Sequence, residues 1–245
     1  MSMHRLLFSL AVIAAGCGLV NLPTQTAPPS PGTAVLRMKV VAEPKIGVPA
    51  ESPNSGEYDD APLTPGMEHL DYADLSDIVV WLEQQNGNST SVSGLAPATI
   101  DVDPRHTASE MAATVSVGQK IVVHNSGSMA ADFYSVSDGN DFDLGRIAPD
   151  ASASYTVKSA GLIEVLTDSA RDPVARIYVA PTPRVRLTTA GKTVEFRNLA
   201  PGQYKVVTWH PRLPGREITV VLSANQVVTV AAKVGVNDLP KIPSR

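Results

Sequence analysis

Short apolar segments separated by turn residues recur along most of this chain, and this pattern constrains its fold more than any other feature. The segments alternate apolar and polar residues at roughly 8–12-residue spacing, and SVGQK, SDGND, APDAS and KSAG lie between them. Only residues 106–115 are ambiguous between helix and loop. The pattern therefore predicts an all-β protein. The predicted strands span residues 35–43, 76–84, 114–117, 120–124, 132–137, 154–157, 161–166, 175–179, 184–188, 193–197, 202–209, 217–222 and 226–233.

The composition supports this fold class and excludes one class of partner. The chain contains 20 prolines and 17 glycines but only 5% aromatic residues, which is typical of a turn-rich β protein. Its 245 residues, 43% of them hydrophobic, are enough for one large or two modest domains. The net charge is −4 and no basic cluster is present, so we expect no nucleic-acid partner.

The N-terminal sequence MSMHRLLFSLAVIAAGCGLV has the features of an export signal. A short basic start precedes an apolar run over residues 6–15, and Gly16 and Cys17 follow it. This run is shorter than the about 20 residues of a membrane span. The sequence AAGC resembles the lipobox of bacterial lipoproteins, although Ala14 stands where leucine is more usual. We expect an exported protein, periplasmic or at the cell surface, that is lipid-anchored through Cys17. The alternative is an ordinary signal peptide whose cysteine lies near the cleavage site.

The rest of the chain divides into a tether, a loop region and two β domains. A proline- and threonine-rich segment follows the signal and predicts an extended tether. The strand at residues 35–43 could join either domain, and a long proline-rich loop follows it. The predicted boundaries are 1–17 for the signal, 18–34 for the tether, 35–76 for strand and loop, 77–180 and 181–234 for the two β domains, and 235–245 for the tail.

Four segments, taken in order, match the pattern of a known family. They are DIVVWLE, VSVGQKIVVHNSG, DFYSVSDGNDFDLG and LAPGQYKVVTWHPRLPG. Their counterparts are A-V-V-x-L, V-x-V-G-x-x-V-x-F-x-N, H-V-Y-S-x-S with F-x-L-G, and L-P-P-G-x-Y-x-L-x-V-W-H-P-R. The chain thus resembles exported plastocyanin-like proteins, including the methylamine utilisation type. The resemblance implies a cupredoxin-like Greek-key β-sandwich followed by a small carboxypeptidase-regulatory-like (transthyretin-like) sandwich, with DIVVWLE opening the first.

The resemblance also implies a single copper ion, but the residues that would hold it are missing. A blue-copper site needs two imidazoles, one thiolate and a weak axial thioether. The family's first histidine aligns with Asp132, and its G-C-x-I-H-x-x-M loop aligns with LTDSARDPVA, which contains Asp168 and Arg171 but no Cys, His or Met. We therefore expect Asp132, Asp168 and Arg171 to be degenerate metal-site positions and the protein to carry no cofactor. Whether the acidic residues bind a hard cation stays open, and DGNDFD is interpreted as a hairpin turn.

No catalytic constellation is visible, but one surface patch is a candidate for recognition. The chain has no G-x-S-x-G and no H-E-x-x-H sequence, and its histidines are interpreted as structural or exposed. Trp209, His210 and Arg212 leave a strand into a Pro-Gly loop, and Trp and Arg are frequent at binding hot spots. The alternative is that Trp209 packs in a core, as we expect Trp81 to do in the first sandwich.

These observations predict a non-enzymatic exported protein that acts as a binding or structural module in the cell envelope. Its cupredoxin-like scaffold would lack a blue-copper site, and its partner would be an unidentified envelope protein or ligand. Membrane contact would occur only through the N-terminal lipid. Two alternatives remain: a copper-binding electron-transfer protein with an unconventional site, and an accessory subunit of an envelope enzyme.

Overall fold

The computed structural model describes residues 27–44, 46, 72–85 and 94–237. The regular structure in these ranges consists of strands alone, which confirms the all-β prediction, and they contain no helix that could cross a membrane. Cys17, the predicted export signal and most of the proline-rich loop lie outside the described residues. The strands are β1 (Ala34–Glu43), β2 (Ile78–Gln84), β3 (Ala98–Val102), β4 (Ala113–Ser116), β5 (Lys120–Asn125), β6 (Ala131–Ser137), β7 (Asn140–Ile147), β8 (Ser152–Thr156), β9 (Gly161–Thr167), β10 (Ala175–Ala180), β11 (Val185–Thr188), β12 (Thr193–Leu199), β13 (Gly202–His210), β14 (Leu213–Leu222) and β15 (Val227–Gly235).

The first sandwich packs a five-stranded sheet, ordered β4-β10-β9-β6-β7, against a three-stranded sheet, ordered β3-β5-β8. Its strands alternate as the sequence predicts. In β9, for example, Ile163 and Val165 are fully buried, whereas Leu162 and Glu164 point to the opposite face. The core between the sheets includes Phe133, which is also fully buried.

The second sandwich packs the sheet β12-β1-β15 against the sheet β11-β2-β13-β14. Strand β1 lies in the middle of its sheet, antiparallel to β12 and parallel to β15. The core contains Leu36 and Met38 from β1, which face Ile78 and Leu82 from β2 and Tyr204 from β13. The strand at residues 35–43, whose domain the sequence left open, therefore belongs to the second sandwich.

Strand β2 is not where the resemblance placed it. The segment DIVVWLE was expected to open the first sandwich, but β2 pairs antiparallel with β11 and β13 in the second. Trp81, for example, lies opposite Val185 and Val207. The expected placement was wrong because the first five residues of β2 are all buried, so its pattern identifies a central strand without identifying the sheet.

A third apolar cluster joins the two sandwiches. The face of β2 that points away from the second core carries Val79 and Trp81, which pack with residues from the first sandwich. The ring of Tyr178 in β10 lies 5.6 Å from that of Trp81 and 4.3 Å from that of Trp209. Trp81 therefore does not fill the first sandwich as expected. Both tryptophans form the contact between the sandwiches, and this cluster is called the aromatic interface below.

Candidate functional site

Asp132, Asp168 and Arg171, the positions predicted to be degenerate metal ligands, lie at one end of the first sandwich, where β9 ends, and this end is called the rim below. The rim contains an ion-pair cluster. The backbone N–H of Asp132 donates to Oδ1 of Asp168 over 3.4 Å. The guanidinium of Arg146 lies 3.2 Å from Oδ2 of Asp132 and 3.9 Å from Oδ2 of Asp168. The structure thus brings two of the three predicted positions together. The third, Arg171, is exposed and does not take part in the ion pairs of this cluster.

The sequence did not indicate Arg146 as a rim residue, because a β-bulge places it there. Pairing across the β6–β7 hairpin runs in regular register from Ser137 opposite Asn140 to Tyr134 opposite Asp143. The register then shifts, so Asp132 pairs with Arg146 instead of the residue before it. Without the register shift, Gly145 would lie opposite Asp132. The sequence contains no clear signal of the bulge.

These residues do not fit a copper ion. Two carboxylates offer hard oxygen ligands, whereas a blue-copper site depends on a thiolate and imidazoles. The Arg146 guanidinium already provides the positive charge that these carboxylates face. The chain has a single cysteine, at position 17, and the described residues include no group of three or more His, Cys, Asp or Glu able to hold a metal.

Asp103, near the same end, is also paired with an arginine. Its carboxylate accepts hydrogen bonds from the Arg105 side chain, one of them 3.0 Å long, and lies 3.0 Å from Nδ1 of His106. The hydrogen bonds from Arg105 hold the pKa of Asp103 well below its usual range. The hydroxyl of Ser169 bonds the Pro104 carbonyl over 3.3 Å and so connects this group to the rim. Asp132, Asp168 and Asp103 therefore each face an arginine of the same chain.

A cleft of about 490 Å³ lies beside the aromatic interface and is lined by both sandwiches. Strands β9 and β10 of the first sandwich contribute Glu164 and Arg176 to its wall. The second sandwich contributes His210 and Arg212 from the β13–β14 connection. Asp77, directly before β2, closes one side.

His210 is the most buried polar residue of this cleft, with 5% of its surface exposed. The backbone N–H of Arg212 donates to its Nδ1 over 3.1 Å. Burial, and secondarily the positive charge of Arg212, lower the pKa of His210 to about 4. The ring is therefore neutral at pH 7 and carries its proton on Nε2, for which the described part of the chain offers no acceptor.

Two further polar groups are fixed by contacts at the edge of the cleft. Arg176 donates through Nε to Oε1 of Glu164 over 3.4 Å and through Nη1 to the Ala108 carbonyl over 3.2 Å. Asp77 has a φ of 57°, and its Oδ1 accepts a 2.7 Å hydrogen bond from the Met111 N–H. This bond connects the start of β2 to the segment that precedes β4 of the first sandwich.

The predicted interaction patch is divided by the structure. Trp209 stacks on Tyr178 inside the aromatic interface, whereas His210 and Arg212 line the cleft. The sequence did not indicate Arg176 or Glu164, because both come from strands of the other sandwich. The other described histidines lie elsewhere: His106 is exposed, and His124 contacts Asp101 across β3 and β5.

Comparisons with known proteins found similar structures but no sequence relatives. No family model matches the chain, and no curated protein sequence matches it. A purple cupredoxin from Nitrosopumilus maritimus is 14% identical, with 34% of this chain and 99% of that one covered and a TM-score of 0.29. An oxidised mutant of amicyanin is 15% identical over 41% of this chain and 99% of its own, with a TM-score of 0.27. A Cu(I) form of another amicyanin mutant is 16% identical over 40% and 98%, with a TM-score of 0.26.

Proposed function

We propose that this protein is a non-enzymatic, exported binding module whose cupredoxin-like scaffold holds no copper. One observation carries the proposal: Arg146 pairs with Asp132 and Asp168 where the sequence resemblance places a copper ligand and the ligand loop. A guanidinium at this position repels a second cation, and the soft ligands that copper needs are replaced by carboxylates. The charged side chains of Asp132, Arg146 and Asp168 lie outside both apolar cores, so the cores do not depend on a metal at the rim.

The polar residues of the cleft support binding rather than catalysis. Ser109, His210 and Asp77 line the same cleft, which is the residue set of a nucleophilic triad. In a triad, however, the histidine donates through one nitrogen to the carboxylate. Here Nδ1 of His210 accepts from a backbone N–H, and Asp77 bonds the backbone of Met111. A histidine with a pKa of about 4 is also a weak general base at neutral pH.

Export and anchoring belong to the proposal through the N-terminal sequence. The AAGC sequence makes Cys17 the candidate for lipidation. Metabolic labelling with a fatty acid should label the protein, and Cys17→Ser should abolish the label and release the protein from the membrane fraction. Release of the unsubstituted protein without detergent would contradict the anchor but not the copper-free scaffold.

Metal analysis of the purified protein tests the central claim. We expect no stoichiometric copper, and titration with Cu(II) should not produce the intense visible absorption of a copper–thiolate centre. Arg146→Gln is an informative second variant, because it removes the competing cation but supplies no soft ligand. It should still contain no stoichiometric copper and show no copper–thiolate absorption. Stoichiometric copper with that absorption in either protein would contradict the proposal and favour an electron-transfer function.

A further inference from the structure

The cleft between the sandwiches combines a buried polar side chain, charged groups and an apolar wall, as small-molecule binding sites do. We infer that it binds a small zwitterion with an apolar side chain, namely a free amino acid or the termini of a short peptide. The inference rests on the proposed binding function and names the ligand class. The volume of the cleft, about 490 Å³, lies within the roughly 300–1,000 Å³ range of small-molecule sites.

Hydrogen-bond donors for a carboxylate come from both sandwiches. The Nε2–H of His210 has no acceptor in the described chain, although the residue is 5% exposed and lines the cleft. The contacts of Arg176 use its Nε and Nη1, which leaves the Nη2 amino group available. A neutral imidazole N–H and a guanidinium are suitable donors for a ligand carboxylate.

Acceptors for an ammonium group line the same cleft. Oδ1 of Asp77 accepts from Met111 and Oε1 of Glu164 from Arg176, so each carboxylate keeps a second oxygen. Two acidic and two basic side chains among the described lining residues give a formal charge of zero. This balance disfavours an anion such as phosphate and favours a ligand that carries both charges.

The remaining wall of the cleft is apolar. Leu75, Met111, Leu162 and Pro211 line it beside the charged groups. Burial of an aliphatic or aromatic side chain against this wall adds roughly 25 cal/mol per Å² of apolar surface. The ligand class therefore combines an ammonium, a carboxylate and an apolar side chain.

Calorimetric titration of the purified protein tests the inference. The probes are apolar L-amino acids, apolar dipeptides, and the same compounds with an acetylated amine or an amidated carboxylate. We expect binding of an uncapped probe and a loss of at least about 10-fold in affinity when either charge is capped. If dipeptides bind more tightly than amino acids, the cleft recognises the termini of short peptides. If amino acids bind more tightly, it recognises free amino acids.

Matched variants distinguish the loss of a contact in the cleft from a general effect of removing a charged side chain. Arg176→Gln and Glu164→Gln should each weaken binding at least about 10-fold. Arg146→Gln at the rim and Glu217→Gln beside Lys205 remove the same charges elsewhere and should leave affinity unchanged. Both cleft variants replace partly exposed side chains, and circular dichroism checks their folding.

Three outcomes would overturn the inference: no heat with any probe at millimolar concentration, equal binding of capped and uncapped probes, or equal binding by cleft variants and their controls. The copper titration described above is independent of these results. Absence of zwitterion binding in a copper-free protein contradicts only the ligand assignment, whereas a copper–thiolate spectrum contradicts the proposed function.

Discussion

His210 shows how folding changes the chemistry of a single residue. In solution a histidine titrates near pH 6.5, but burial between the two sandwiches lowers its pKa to about 4. Its Nδ1 accepts from the Arg212 backbone, which orients the ring and fixes the proton on Nε2. The residue is therefore a neutral hydrogen-bond donor at physiological pH.

The lowered pKa of His210 predicts a pH-dependent stability. Between pH 6.5 and about 4 the unfolded chain binds more protons at this residue than the folded chain, so acidification favours unfolding. With respect to this residue, the free energy of unfolding is highest above about pH 6.5. It decreases by on the order of 2 kcal/mol towards pH 4. Chemical denaturation at several pH values measures it. His210→Asn keeps an acceptor for the Arg212 N–H and should reduce this slope; an unchanged slope would contradict the lowered pKa.

Asn125 is a second residue whose role comes from its environment. It is fully buried, and its Nδ2 donates to the carbonyls of Met129 and Ile147 over 2.8 and 2.9 Å. Its Oδ1 accepts from the Gly127 N–H over 3.0 Å. One side chain thus satisfies two backbone groups in the loop that precedes β6 and one at the end of β7.

We expect Asn125→Ala to destabilise the first sandwich substantially. The substitution leaves these backbone groups without their partner, and the free energy of unfolding should fall by roughly 3 kcal/mol. Urea denaturation measures the change, with the exposed Ser154→Ala as a control that should change stability by less than about 0.5 kcal/mol. A loss for Asn125→Ala no larger than that of the control would refute the hydrogen-bonding role.

At the scale of elements, the β6–β7 hairpin places the rim cluster. Ser137 pairs with Asn140, so Asp138 and Gly139 form a two-residue turn, which confirms the hairpin interpretation of DGNDFD. The bulge further along the hairpin then aligns Asp132 with Arg146. Turn and bulge together set which charges meet at the end of the sandwich.

Gly139 is required in this turn for two separable reasons. Its φ is +69°, and a Cβ at this position would lie 2.5 Å from Oγ of Ser159. Gly191 has a similar φ of +77° but open space around it. Gly191→Ala should therefore cost about 1 kcal/mol from backbone strain alone, and Gly139→Ala about 1 kcal/mol more. Thermal denaturation measures both, and Ser159→Gly in the Gly139→Ala background should recover the difference. Equal losses at the two glycines would exclude the steric contribution.

At the scale of the whole molecule, the aromatic interface makes one body of two sandwiches. Strands β2 and β13 serve two cores, because one face of each packs inside the second sandwich and the other packs on the first. Tyr178 lies between Trp81 and Trp209, so removal of its ring affects both contacts. The cleft lies beside this interface and depends on it for its shape.

We expect Tyr178→Ala to uncouple the two sandwiches. Loss of a buried aromatic ring lowers the free energy of unfolding by roughly 3 kcal/mol. Because this ring lies in the contact between the sandwiches, the substitution weakens that contact. Scanning calorimetry should show one transition for the unsubstituted protein and two for Tyr178→Ala. Tyr178→Phe keeps the ring and should keep the single transition. Two transitions already present in the unsubstituted protein would show that the interface does not couple the sandwiches.

The sequence alone determined the fold class and the absence of blue-copper ligands from the loop around Asp168. Alternating segments with turn residues between them predicted an all-β chain, because the faces of a strand repeat every two residues. The absence of sulfur and imidazole ligands from the loop around Asp168 is likewise a matter of residue identity, which no tertiary arrangement can change.

The tertiary structure alone decided which strands and charges meet. Alternation tells which face of a strand is buried but not which strand lies beside it, and β2 was therefore assigned to the wrong sandwich. Arg146 reached the rim through a bulge, and His210 came to share a cleft with Arg176, 34 positions earlier in the chain, through packing of two separate sheets. Such juxtapositions depend on long-range pairing and packing, which local sequence patterns do not specify.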